Sequence, residues 1–455
     1  MRKKTYEKFG EIYMKTLSLV FLLLALSVSG LAQNFDKAKL DKFFDALTEK
    51  DQAMGSLTIS KNGQILYSRA VGYRQISEKE KTPADARTKY RIGSISKMFT
   101  TTLIFQLVEA GKLKLTDTLD KFFPEIPNAK KITIAQMLDH HSGIHNITDD
   151  AQEYLSYYTK PQTQAQMVAL IAKTKPDFEP GTKADYSNSN FILLGYIVEK
   201  ITKKPFATVL KEKITAKIGL ADTFYGGKIN AANNESFSYD FENGWKQTPE
   251  TDMSVPGGAG AIVSTPTDLT KFIEALFSVK LVSPKSLDQM KTLTDNYGMG
   301  MFQFPVGSRK GYGHNGGIDG FNSMLVYLPE EKLSVAYISN GTVYAPANIV
   351  SAAAAVYFNE PFTIPTFEKI VIKAEDLAKF AGIYSAAGFP LKISVTAQGT
   401  TLYAQATGQS AFPLEATDKN KFKFDAAGIV LEFEAEKNQM TLKQGGRTTI
   451  FTKEK

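Results

Sequence analysis

The sequence predicts an α/β protein of the α+β kind: antiparallel strands and flanking helices, followed by a small C-terminal all-β barrel or sandwich. Three observations carry this. Alternating apolar runs joined by tight turns stand both before residue 70 and after residue 320. The stretch between them is mostly helical and irregular in pattern. Beyond about residue 371 only short alternating runs remain, separated by glycines.

The first 32 residues read as a leader rather than as structure. Basic residues up to Lys15 precede a 12-residue apolar run, Leu17 to Val28, and Gly30-Leu31-Ala32 supplies small residues before Gln33. The run is short for a bilayer span, so a cleaved signal peptide over 1–32 is expected, with no stable membrane insertion of the remainder. Met14 offers a second start codon position in front of the same run. The chain contains no cysteine, which excludes disulfides, thiolate nucleophiles, zinc–cysteine sites and lipid attachment at a cysteine after the leader.

The remaining elements follow in order. Residues 36–50 form an amphipathic helix pattern with Leu40, Phe43, Phe44 and Leu47 on one side. Ser56 to Ser60 and Gln64 to Ser68 alternate on either side of Asn62-Gly63, a strong hairpin signal, so a sheet begins here. Met98 to Ala110 is a long apolar helix pattern stopped by Gly111. A further helix runs from Phe191 and ends before Pro205, and another opens at Thr265-Pro266-Thr267-Asp268, with Asp268 reaching back to cap it. Phe321 to Pro329 and Leu333 to Ile338 give a second hairpin, with Gly316 and Gly317 at the start of its first strand. Pro361 to Pro365 breaks the pattern. The expected domains are 33–360, a linker over 361–371, and a β domain over 372–455.

Composition narrows function mostly by exclusion. With 455 residues the chain can bury large cores, and 43% hydrophobic and 22% charged residues are ordinary for a globular protein. Three of the seven net positive charges lie in residues 1–32, leaving about +4 without a basic run, so nucleic acid is not an expected partner. Gly311-Tyr312-Gly313-His314-Asn315-Gly316 matches a dinucleotide fingerprint in letters, but it precedes a strand instead of a helix. His140, His141 and His145 cluster in sequence, yet Gly143 interrupts any helix between them and no carboxylate stands at a ligand spacing, so no metal and no other cofactor is expected.

The chemistry concentrates in three short pieces. In Ser94-Ile95-Ser96-Lys97 the serine and lysine stand three apart at a helix start, on one face. The helix N-terminus offers free N–H groups and a positive dipole end for an oxyanion, and burial against an apolar helix favours the neutral amine of Lys97. Downstream stand Tyr186-Ser187-Asn188 and His314-Asn315-Gly316. Together, in this order, these motifs resemble the serine β-lactamase and penicillin-binding-protein superfamily, nearest its class C β-lactamase, D-aminopeptidase and esterase branch. The resemblance covers about residues 40 to 358, with Leu138 to Gly143 and Pro256-Gly257-Gly258 as secondary matches.

The resemblance implies a β-lactamase/transpeptidase-like fold, an antiparallel sheet flanked by helices with a helical subdomain. It implies Ser94 as the acylated nucleophile, and Lys97 and Tyr186 as the proton carriers, with either as base. Ser94 and Gly317 would supply the oxyanion-hole N–H groups, while Asn188, His314, Asn315 and Gly316 would contact substrate. His314 stands where many relatives carry lysine, which weakens recognition of a substrate carboxylate. The expected function is therefore an exported serine hydrolase, periplasmic or extracellular, cleaving small-molecule or peptide esters and amides. The alternatives are a β-lactamase or D-Ala-D-Ala carboxypeptidase, and a non-catalytic binding protein on the same fold.

Overall fold

The computed structural model describes residues 35–454 apart from 368–369, 371, 388, 390, 408–410, 425–428 and 445–446. The leader expected over 1–32 lies outside the described residues. The chain divides into two compact units between Pro365 and Thr366.

The first unit is built on a six-stranded antiparallel sheet. Helix α1 (Lys37–Glu49), capped by the Asp36 carboxylate accepting from the Lys39 N–H at 2.9 Å, buries Leu40, Phe43, Phe44 and Leu47, the face its periodicity predicts. Strands β1 (Ala53–Lys61) and β2 (Gln64–Val71) form the first hairpin, and Asn62 and Gly63 take positive φ of 52° and 80°. Positive φ at both central residues matches the twist of the strands they join, which explains the Asn-Gly pair. The other four strands are β3 (Phe302–Val306), β4 (Arg309–Ile318), β5 (Phe321–Leu328) and β6 (Leu333–Thr342). Their order is β3-β4-β5-β6-β1-β2, so the first hairpin docks on the last strand, with Leu57 opposite Tyr337.

One expectation needs correction. Gly316 and Gly317 do not start a strand; they end β4, which turns through Asp319-Gly320 into β5 with Ile318 opposite Phe321. Glycine has little strand propensity, so this strand shows no alternation in sequence. Tertiary contact decides instead. Strand β3 pairs only with Arg309 to Gly313, which leaves the far half of β4 bordered by the Gly93–Ile95 turn. A Cβ on Gly316 would lie 2.1 Å from the Ile92 carbonyl oxygen, and one on Gly93, at φ +51°, would lie 2.8 Å from the Gly317 nitrogen. Only two glycines allow this approach.

Helices cover the sheet. Helix α2 (Ser96–Glu109) follows the Gly93–Ile95 turn and is buried from Ser96 through Phe105, as an all-round apolar helix must be. Phe99 stacks on Phe272 of helix α4 (Pro266–Phe277), ring centroids 3.7 Å apart. Helix α3 (Asn188–Thr202) packs in the same core through Phe191, Ile192, Leu193 and Leu194. Helix α4 begins with Thr265 accepting from the Asp268 N–H at 3.1 Å. The Asp268 carboxylate does not reach back as a capping box; it accepts from the Asp222 N–H and the Thr223 hydroxyl.

The second unit is a closed barrel of eight antiparallel strands, from Gly382–Ser385 to Arg447–Lys453. Its interior holds Tyr384, Val395, Leu402, Phe422, Leu431, Phe433, Met440 and Phe451. Closure leaves no open strand edge, so the barrel form applies and not the sandwich. Among the described residues of the whole chain, no helix is long and apolar enough to cross a membrane.

Candidate active site

Ser94 sits in the one-turn helix Gly93–Ile95, half-buried, with Lys97 one turn on and 0% exposed. The Lys97 amine lies 3.0 Å from the Ser94 Oγ, 2.7 Å from the Asn188 Oδ1 and 3.0 Å from the Ala259 carbonyl oxygen. Burial drives its pKa well below the ordinary lysine value. The neutral amine has two N–H donors and one lone pair. Asn188 Oδ1 and the Ala259 carbonyl can only accept, so they take the two N–H groups. The lone pair is left facing the Ser94 hydroxyl, as a base requires.

Asn188 is the first residue of α3, not part of the preceding loop. Its Nδ2 donates to the Thr148 hydroxyl at 3.0 Å, and Thr148 donates to the Asn146 Oδ1 at 3.0 Å, which fixes the amide with its oxygen toward Lys97. Asn188 thus holds Lys97 as well as bordering the substrate space.

Tyr186 lies over the same amine, its ring centroid 4.8 Å from the Lys97 Nζ. Burial raises the phenol's pKa above its ordinary value, and the Ser94 hydroxyl beside it works in the opposite direction. The ring stacks on His140 at 4.5 Å. The Ser187 N–H donates to the His140 Nδ1 at 3.1 Å, so the imidazole carries its proton on Nε2 and braces the Tyr186 loop from behind. Burial drives the His140 pKa well below its ordinary value.

The three clustered histidines go separate ways: His141 contacts Asp139 and Asp295, while His145 contacts Asp150 and Asp177. Among the described residues no group of three His, Asp or Glu side chains gathers as a metal would need.

Beside Ser94 opens a cavity of about 320 Å³. Ile147, Tyr154, Leu155, Tyr158, Ile192, Val255 and Ile318 give it apolar walls, and Asn188, Thr148, Gly317 and Asp319 border it. A Cβ on Gly317 would meet nothing nearer than 3.9 Å, so that peptide faces open space. The third motif divides here. Gly317 reaches the cavity, but His314, Asn315 and Gly316 do not line it. His314 is 1% exposed, packed on Phe302 at 4.8 Å behind Tyr186, and burial lowers its pKa to about 3. Asn315 is exposed, and Gly316 touches Ile92 instead. A larger cavity of about 770 Å³, lined by Lys217, Lys271, Lys280 and Lys332, contains none of these residues.

Several residues that complete the site carry no sequence signal: the Ala259 carbonyl, Thr148, Thr251 and the Arg91–Asp319 ion pair. Each acts through a long-range contact.

A half-buried serine paired with a buried lysine at a helix start, beside an antiparallel sheet flanked by helices, defines a serine hydrolase working by acyl transfer. The β-lactamase family model matches residues 40–358, and the chain belongs to that family. It is 26% identical over 435 residues to "Penicillin-binding protein 4*" of Bacillus subtilis (strain 168), covering 87% of this chain and 93% of that protein. Among solved structures it resembles a D-stereospecific amidohydrolase from Streptomyces sp., with TM-score 0.60 and 26% identity over 69% of this chain and 98% of that one. An octameric penicillin-binding protein homologue from Pyrococcus abyssi shares the fold across 92% of this chain and 100% of its own, with TM-score 0.66 and 24% identity.

Proposed function

We propose that the protein is an exported hydrolase of acyl esters and amides that lack a carboxylate, D-amino-acid amides among them, acting through an acyl-enzyme on Ser94. The observation that carries this is the Lys97 amine 3.0 Å from the Ser94 Oγ, with both its N–H groups engaged elsewhere. Ser94 Oγ attacks the substrate carbonyl carbon as its proton passes to the Lys97 lone pair. The carbonyl oxygen becomes an oxyanion held by the N–H groups of Ser94 and Gly317. The Tyr186 phenol, kept protonated by burial, relays the proton to the leaving alkoxide or amine. Water then attacks the ester on Ser94 by the reverse path. Lys97 is the base in this scheme, because burial disfavours its charged form and equally disfavours a tyrosinate.

Substrate choice follows from the cavity. Its walls are apolar and aromatic, and the one charged side chain lining it among the described residues, Asp319, is ion-paired with Arg91 at 2.8 Å. Among the described residues no lysine or arginine lines it, and burial lowers the His314 pKa to about 3, so its ring is neutral near pH 7. A substrate carboxylate therefore meets no cation, which forgoes a charge-assisted bond of about 1.5–3 kcal/mol. The similarity to a D-stereospecific amidohydrolase supports amides as the bond class. The test compares kcat/KM for a p-nitrophenyl ester of an aromatic acid, a D-phenylalanine amide and a cephalosporin. The ester and amide should lead by about tenfold or more; a preference for the cephalosporin overturns the reading.

A further inference from the structure

We infer that Arg91, Asp319 and Thr251 form a clamp that sets the spacing of the two oxyanion-hole N–H groups. This rests on the proposed roles of Ser94 and Gly317. Those two residues lie on different segments, the Gly93–Ile95 turn and the end of β4, joined by no strand pairing to each other. Arg91 stands three residues before Ser94, and Asp319 two residues after Gly317.

Their side chains pair at 2.8 Å between Arg91 Nη1 and Asp319 Oδ2, and are 2% and 1% exposed. Thr251 closes the ring. Its N–H and hydroxyl donate to Asp319 Oδ1 at 3.0 and 2.6 Å, and its carbonyl accepts from Arg91 Nη1 at 2.8 Å. Arg91 Nη2 also donates to the Gly227 carbonyl at 3.0 Å and reaches Glu250 at 3.3 Å. Asp319 holds φ of 52°, at the turn that ends β4.

Nothing in acyl transfer consumes this ion pair. It touches neither Ser94 nor Lys97 by hydrogen bond, and a buried pair is a poor way to gain stability compared with apolar packing. Its geometry does one thing an apolar pair would not: it fixes distance and direction between two backbone segments whose N–H groups must converge on one oxygen. The glycine contact between Gly93 and Gly317 presses the segments together, and the clamp stops them sliding along that contact. Arg91 and Asp319 are positioning residues.

The test uses the full chain and an aryl boronic acid, which forms a tetrahedral adduct on an active serine. Asp319→Asn should lower kcat about ten- to a hundredfold, the scale of a misplacement near 1 Å, and weaken the boronate by the same factor. KM for the ester should move by less than about threefold. Because a buried Arg91 left with only the more exposed Glu250 as its charge partner threatens folding, the double variant Arg91→Met/Asp319→Leu is made alongside it, replacing the pair by apolar volume. It should fold and still show the parallel loss of kcat and boronate affinity. Either variant, folded, with wild-type kcat and boronate affinity overturns the clamp, as does a loss confined to thermal stability. Should both variants fail to fold, Thr251→Val, which keeps the ion pair and removes one donor, decides by the same two readouts. Fluorophosphonate labelling of wild-type Ser94 tests the nucleophile separately, so failure of that reading and failure of the clamp are distinguishable.

Discussion

At the scale of single residues the site depends on where charge is not allowed. Lys97 is buried without a carboxylate, so it stays a neutral amine, and Tyr186 is buried without a stabilising cation, so it stays a phenol. The rate should therefore be lost on the acid side as pH falls through the depressed pKa of Lys97. It should level off above that pKa, and show no tyrosine limb until above the ordinary phenol range. Lys97→Arg puts a permanent cation in place of the neutral amine and removes the proposed base, and kcat should fall about 10²–10⁴-fold. The same burial has a sign in stability. Between the depressed pKa and 10.5 the unfolded chain protonates this lysine and the native chain does not, so folding gains stability as pH rises. Against Lys97→Met, wild type should gain stability as pH rises between the depressed folded pKa and the unfolded one, at up to about 1.4 kcal/mol per pH unit, read from denaturant unfolding at each pH. Equal slopes in the two proteins would mean that Lys97 is charged when folded. Ser94 and Lys97 were legible as a pair because helix spacing puts them on one face, while Tyr186 and Asn188 were legible only through the resemblance of the ordered motifs. His314 was legible as an identity but not as a position, since nothing in the sequence says that its ring turns away from the cavity.

Elements are where local rules met long-range ones. Strands β1 and β2, the amphipathic α1, and the start of α4 were readable, because alternation, Asn-Gly and Thr-Pro act within a few residues. Strand β4 was not. Its Gly-x-Gly texture suits contact with the Gly93–Ile95 turn instead of β propensity, and that turn is over 200 residues away. Gly316→Ala tests this directly. The new methyl would stand 2.1 Å from the Ile92 oxygen, so β4 must shift from the Ser94 turn. The expected result is a loss of about 10²-fold in kcat with the circular dichroism of the native fold retained. Alanine at Gly63, where positive φ is needed but space is open, should cost about 1 kcal/mol and leave kcat alone.

Over the whole molecule, the sheet order explains why the site motifs are scattered. Strand β1 docks on β6, so the turn that follows the N-terminal hairpin reaches the end of the strand pair near residue 317. Ser94 and Gly317 meet through that closure, and only the resemblance of motifs in order pointed to it from sequence. The change of texture near residue 371 signalled a separate β unit, and eight antiparallel strands close it. Its closure was not legible, because alternation alone fits a sandwich as well. The apolar run from Leu17 to Val28 supports the export proposal. N-terminal sequencing of protein from the native host should give a chain starting at or near Gln33, and intact residues 1–32 on cytoplasmic protein would contradict export.

The central claim, a serine made nucleophilic by a neutral lysine, is tested most directly by mass mapping after reaction with a fluorophosphonate. Wild type should carry one adduct, on Ser94. Lys97→Arg should label about 10²-fold more slowly or worse, at the same residue. Ser94→Ala should carry none and should lose turnover by about 10³-fold or more while unfolding like wild type. An adduct on another serine, or undiminished labelling of Ser94 in Lys97→Arg, would contradict the account.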